Sequence, residues 1–112
     1  MPTESSIVAS ILKRLNTISG VRAVKRHGSP FSRKGEPDID CVVRTKVRIC
    51  GAAVSVCFGV SVKLEVKRPG EKPTAIQELE MQKWRDVGCV VAVVSSAIEA
   101  EKIVRNLQGD MG

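Results

Sequence analysis

Lys63-Leu64-Glu65-Val66-Lys67 closes a long alternating segment in which Val54, Val56, Phe58, Val60, Val62, Leu64 and Val66 all fall on even positions. Side chains alternate across a strand, so this spacing predicts that the even residues share one buried face and that Ser61, Lys63, Glu65 and Lys67 share the other. A carboxylate and an ammonium two residues apart then stand side by side on a stiff β-branched support. Taken alone, Glu65-Val66-Lys67 fits the solvated face of an amphipathic edge strand, and short motifs of this kind match by chance. Its neighbours shift the reading. Upstream, Gly35-Glu36-Pro37-Asp38 is a turn signal that delivers an aspartate onto the apolar run 39–43, and downstream Thr74-Ala75-Ile76-Gln77 opens a helix.

Outward from this stretch the chain divides into short elements. Residues 3–18 read as an amphipathic helix with Ile7, Val8, Ile11, Leu12 and Leu15 at three- and four-residue spacings, and Glu4 on the stripe of Val8. Glu4 either interacts favourably with the helix dipole or points a carboxylate inward. A short strand at 21–24 leads into a basic, turn-rich loop at 27–35, where His27 reads as a loop histidine. Residues 38–49 form a strand with Arg44, Lys46 and Arg48 on one face and Val43, Thr45, Val47 and Ile49 on the other. Cys50-Gly51 is a hairpin point into the strand 53–67, in which Gly59 marks a bulge or bend. Asp40 shares the parity of Asp38 and is either a second acid or satisfied by a neighbouring base.

Beyond the breaker 68–73, residues 74–87 form a helix with Ile76, Leu79, Trp84 and Val87 toward the core. Thr74 and Gln77 make a capping box that by itself accounts for both residues. The continuous apolar run 89–94 predicts a central, partly parallel strand, and Ser96 with Glu99 caps a last helix whose core stripe is Ala97, Ala100, Val104 and Leu107. The order αβββαβα implies an α/β fold: a sandwich with a central mixed sheet covered on both faces.

The 112 residues fit one domain, 1–112, and 43% hydrophobic with 27% charged residues is a globular composition. No apolar run reaches membrane-spanning length and the first residues lack signal-peptide character, so the expectation is a soluble cytoplasmic protein. Cys41, Cys50, Cys57 and Cys89 form no C-x-x-C pair and His27 is the one histidine, which argues against zinc and for free thiols in a reducing compartment. A net charge of +6 favours a polyanionic partner. Between Lys13 and Lys34 the chain carries no acidic residue, and Arg22, Lys25, Arg26, Arg33 and Lys34 are the candidate DNA contacts. Only Trp84, Phe31 and Phe58 are aromatic, so binding is expected on phosphates rather than by stacking on bases.

Asp38 and Glu65 on adjacent strands can share a hard divalent cation, with the backbone carbonyl of Val66 as a further oxygen ligand. Such an ion supplies a water nucleophile and neutralises charge building on a phosphodiester. Lys67 would orient that water or stabilise the transition state, and Gln77 would hydrogen-bond the water or a phosphate. Taken together, Gly35-x-Pro37-Asp38, Glu65-x-Lys67, Thr74-x-x-Gln77 and Gly88 followed by 90–95 resemble, in that order, the virus-type replication-repair nuclease (VRR-NUC) branch of the PD-(D/E)xK superfamily. The resemblance covers nearly the whole chain, including a helix whose early glutamate matches Glu4.

That resemblance implies a restriction-endonuclease-like fold, Mg²⁺ or Mn²⁺ dependence, and metal ligation by Asp38 and Glu65 with a contribution from Glu4. It also implies an essential Lys67 supported by Gln77, with no organic cofactor. Stand-alone bacterial and phage members are similar to homodimeric enzymes that cut four-way DNA junctions; the long stretch between Asp38 and Glu65 departs from the family pattern. The expectation is therefore a structure-selective DNA endonuclease, a homodimeric Holliday-junction resolvase acting on branched double-stranded DNA. The alternatives are a nuclease of flap or nicking specificity and a non-catalytic basic DNA-binding module.

Overall fold

The computed structural model describes residues 2–26, 34–48 and 55–109. Its elements run α1 (Glu4–Leu15), β1 (Val21–Lys25), β2 (Ile39–Arg48), β3 (Ser55–Val66), α2 (Ala75–Asp86), β4 (Val90–Val94) and α3 (Ala97–Gln108), the order expected from the sequence. The expected hairpin point Cys50-Gly51, with Val54 and Ile49, lies outside the described residues, as do His27, Phe31 and Arg33. The four strands form one sheet in the order β1-β2-β3-β4, antiparallel except for the parallel pair β3-β4.

Helix α1 starts where Thr3 accepts the Ser6 N–H at 3.1 Å and Glu4 stands against the positive end of the helix dipole. It ends at Leu15, three residues sooner than its periodicity suggests, because Asn16 turns its side chain to β1. Asn16 Oδ1 accepts the Ala23 N–H and its Nδ2 donates to the Ala23 carbonyl, each at 2.9 Å. One amide thus stands in for the neighbour that an edge strand lacks.

Ile7, Val8, Ile11 and Leu15 of α1, with Ala100 and Val104 of α3, bury against one face of the sheet, meeting Ala23, Ile39, Cys41, Val43, Val62, Leu64, Val66 and Val94. Each large side chain so buried contributes about 1.5–3 kcal/mol. Burial pushes the Cys41 thiol up to about 11, so it behaves as a small hydrophobe. Cys57 and Cys89 are also free thiols.

Several sequence expectations need correction. Helices flank both faces of the sheet, but unequally: α1 and α3 cover one, whereas α2 lies against the β4 end of the other and leaves Val24 and Val42 exposed. The even residues of β3 are buried only over Val62, Leu64 and Val66; Val56 and Phe58 project beyond the helical layer, and Val47 opposite them is exposed too. Among the described residues strand β4 is an edge rather than a central strand, although its parallel pairing was expected.

Gly59 makes no bulge. It sits in unbroken register opposite Arg44, and a Cβ there would stand 2.9 Å from Val42 Cγ1. In α2 the inward stripe is not Ile76, Leu79 and Val87, all exposed, but Glu80 and Met81, with Gln77 and Trp84 a turn away on either side. At α3, Ser96 accepts the Glu99 N–H, but Glu99 Oε2 turns back to the Ser95 N–H rather than closing a box on Ser96.

Candidate active site

The site forms where the covered end of the β2–β3 ribbon meets the start of α2. Gly35 adopts φ +84° and passes so close to α2 that a Cβ would lie 2.7 Å from Ile76 Cγ2 and 2.9 Å from its carbonyl oxygen. Pro37 is fully buried behind it, and Asp38 arrives one residue before β2. Asp38 Oδ2 accepts the Val66 N–H at 2.8 Å, tying the head of β2 to the tail of β3.

Glu65 and Lys67, which taken alone would fit a solvated face, are only 1% and 8% exposed. Their parity is as predicted; the difference is that β4 closes one side and the N-terminal turn of α2 lies over the top. Gln77 Nε2 donates to Glu65 Oε1 at 3.0 Å, and Lys67 Nζ stands 3.9 Å from the same oxygen. Glu65 Oε2 is buried and has no hydrogen-bond partner among the described residues.

Burial raises the Glu65 pKa from 4.5 to about 8, the Asp38 charge adds to this, Lys67 opposes it, and the charge of Glu4 raises it a little further. A buried carboxylate with an orphaned oxygen takes either a proton or a cation, and this donor set suits a hard oxygen-seeking ion. Among the described residues no three His, Cys, Asp or Glu side chains form a complete cage. Asp38 and Glu65 would therefore share such an ion with water or substrate oxygens. Glu4 lies close enough for its charge to act on Glu65 without closing that cage. What the structure adds for Val66 is its N–H, held by Asp38.

Around this centre is a network that the sequence reading did not assemble. Asp40 Oδ1 pairs with Lys63 at 2.7 Å and with Arg26 at 3.6 Å, and Arg26 also reaches Glu36 at 3.0 Å. Lys63 lies 4.3 Å from the Trp84 ring centroid, and Arg26 5.8 Å, so one ring holds two cations against α2. Asp40 is thus satisfied by bases. Arg26, expected on DNA, is engaged by carboxylates and an aromatic face. Lys63 shares the parity of Glu65 in the opening stretch, which was the available signal; that Trp84 would cover it required the phase of α2.

The remaining nominated bases are dispersed. Arg22 and Lys25 are exposed on β1 and Lys34 is exposed before Gly35, while Arg33 lies outside the described residues. Among those residues no helix is long and apolar enough to cross a membrane.

No protein-family model matches the sequence. No curated protein matches it either. Among solved structures, one described as a VRR_NUC domain superposes over 91% of this chain and 94% of its own, with a TM-score of 0.63 and 23% sequence identity. A mixed four-stranded sheet flanked by three helices, with Asp38, Glu65 and Lys67 converging at one end, is thus built on the fold of the VRR_NUC domain that the sequence motifs resemble.

Proposed function

We propose that residues 1–112 are a single PD-(D/E)xK-type nuclease domain that hydrolyses phosphodiester bonds in branched double-stranded DNA with Mg²⁺ or Mn²⁺, acting in the cytoplasm as a homodimeric resolvase of four-way junctions. The observation that carries this is the convergence of Asp38, Lys67 and Gln77 on Glu65, whose buried Oε2 has no hydrogen-bond partner among the described residues. The likeness to a VRR_NUC domain supports the same reading.

In this reading Asp38 and Glu65 would hold the divalent cation, with contributions from Glu4 and the Val66 carbonyl. Bound there, it would supply Lewis acidity toward a phosphate oxygen and lower the pKa of a water. The side chains divide the remaining work. Lys67, nearly buried beside Glu65, keeps its ammonium where negative charge builds in the transition state, and the low exposure strengthens that interaction. Gln77 fixes Glu65 Oε1, leaving Oε2 turned toward the ligand. The Val66 N–H does the same for Asp38, so both carboxylates are oriented before substrate arrives.

Symmetric cutting of a junction requires two sites, hence two copies. The exposed Val47, Val56 and Phe58 on the projecting ribbon support an interface between them. Free Cys41, Cys57 and Cys89 fit a reducing compartment.

The test is cleavage of an end-labelled four-way junction beside linear duplex with Mg²⁺, Mn²⁺ or EDTA, comparing wild type with Lys67→Ala. Metal-dependent paired nicks that vanish in the variant are expected. Equal cutting of linear duplex would leave a nuclease of other specificity, and binding without cutting would leave a basic DNA-binding module.

A further inference from the structure

The sheet face that carries Glu65 continues along the ribbon, and its charge balance changes on the way. At one end Asp38, Asp40 and Glu65 are offset by Lys63 and Lys67. Beyond Val42 the same face of β2 presents Arg44, Lys46 and Arg48 in succession, and Arg22 lies on it from β1. All four bases are exposed, and among the described residues none is paired with a carboxylate.

Their cross-strand partners are small: Arg44 faces Gly59, Lys46 faces Cys57 and Arg48 faces Ser55. A strand whose bases served only solubility would gain from acids at those positions, since opposite charges directly across a ladder attract. Instead a bare floor runs beside a row of cations, and Gly59 is held to it because a Cβ would crowd Val42. Among the described residues no helix covers this half of the face, since α2 packs at the β4 end. At about 3.3 Å per residue the row lies about 20–33 Å along β2 from Asp38, approaching one turn of B-DNA, roughly 34 Å.

We infer that Arg44, Lys46 and Arg48, with Arg22 beside them, form a docking strip for the phosphate backbone of a duplex arm whose scissile phosphate lies at Asp38 and Glu65. Complementarity of charge selects the ligand: a polyanion whose phosphates recur at regular spacing. This assignment rests on the nuclease reading. It differs from the sequence-based set, in which Arg26 is already occupied, by placing the main phosphate-binding groups on β2.

The experiment measures binding of a synthetic four-way junction by the full chain in Ca²⁺ over a series of salt concentrations, alongside cutting in Mg²⁺. The strip variant is Arg44→Gln/Lys46→Gln/Arg48→Gln, and the control removes charge elsewhere, Lys102→Gln/Arg105→Gln on α3. The strip variant is expected to bind at least about tenfold more weakly, with the slope of log K against log salt shallower by about 3, close to 0.9 for each phosphate no longer neutralised. The control should stay near wild type, and Arg44→Lys should retain the slope where Arg44→Gln lowers it by about one. Thermal melts establish that each variant is folded. Wild type that cuts while the strip variant binds with unchanged affinity and slope overturns the strip and leaves the nuclease. Equal losses in strip and control also overturn it, as general charge loss. Wild type that shows no metal-dependent cutting overturns the nuclease reading, and the strip's link to a scissile site with it.

Discussion

The side chain of Gln77 donates from Nε2 to Glu65 Oε1 at 3.0 Å while its own Oε1 accepts the Thr74 N–H at 2.8 Å. The capping box expected of this residue and its reach to Glu65 therefore coexist, one at each end of a single amide. The two roles separate by substitution. Gln77→Glu keeps an acceptor for Thr74 but sets a carboxylate against Glu65, whereas Gln77→Ala loses both bonds. Gln77→Ala should cost about 1 kcal/mol of stability. Both variants should cut about 10–100-fold more slowly, as for loss of a group that orients a metal ligand. Melting curves in EDTA and single-turnover cleavage read the two effects apart; wild-type cutting by Gln77→Glu would show that the amide donor is dispensable.

Glu65 links the site to stability. Its folded pKa of about 8 lies above its ordinary 4.5, so between those values the folded chain binds a proton that the unfolded chain has released. The contribution of Glu65 to stability is then full below pH 4.5 and falls as pH rises toward 8, by an amount of order a few kcal/mol. A divalent cation binds the carboxylate form and should reverse the loss. Melting temperature against pH in EDTA should slope downward for wild type more steeply than for Glu65→Gln, and added Mg²⁺ should stabilise only wild type near pH 8. Coincident profiles would remove Glu65 as the buried acid.

Much of this was legible in the sequence because β-strand parity is a local rule. Glu65 and Lys67 were placed on one face by counting, Asp38 was placed on an adjacent strand, and the parallel pairing of β4 followed from its unbroken apolar run. What was not legible depended on non-local packing. The alternation of β3 reads the same from Val56 to Val66, yet only its last third has helices to bury against. The phase of α2 is set by Gln77 reaching Glu65 and Trp84 covering Lys63, interactions across the fold that outweigh the apolar positions Ile76, Leu79 and Val87. Arg26 looked like a free base because Glu36, Asp40 and Trp84 reach it only after folding.

Gly35 offers a stringent test of how Asp38 is delivered. Its φ of +84° and the 2.9 Å approach of a Cβ to the Ile76 carbonyl mean that Gly35→Ala must shift the backbone of one partner. Gly70 has φ +87° but open space around it, so Gly70→Ala isolates the conformational part alone, about 1–2 kcal/mol. Gly35→Ala should lose more stability than Gly70→Ala in chemical denaturation, and it alone should reduce cutting, because the displaced turn carries Asp38. Equal losses in both variants would mean that the approach to Ile76 is relaxed without consequence.

Phe58 tests whether the projecting ribbon joins two copies. It is 47% exposed, stands opposite Thr45, whose hydroxyl donates to the Leu107 carbonyl near the end of α3, and continues an exposed apolar strip with Val56 and Val47. Because these side chains lie outside the core, a charge placed there does not have to be buried for the chain to fold, so Phe58→Lys should melt close to wild type. In a dimer closed through this strip, two-fold symmetry sets two introduced ammonium groups within the same interface, and their desolvation and repulsion oppose association. Sedimentation velocity at micromolar concentration should therefore give a dimer for wild type and a monomer for Phe58→Lys, and the variant should nick a junction singly where wild type nicks it in pairs. A wild type that sediments as a monomer on its own and in complex with the junction would rule out this interface.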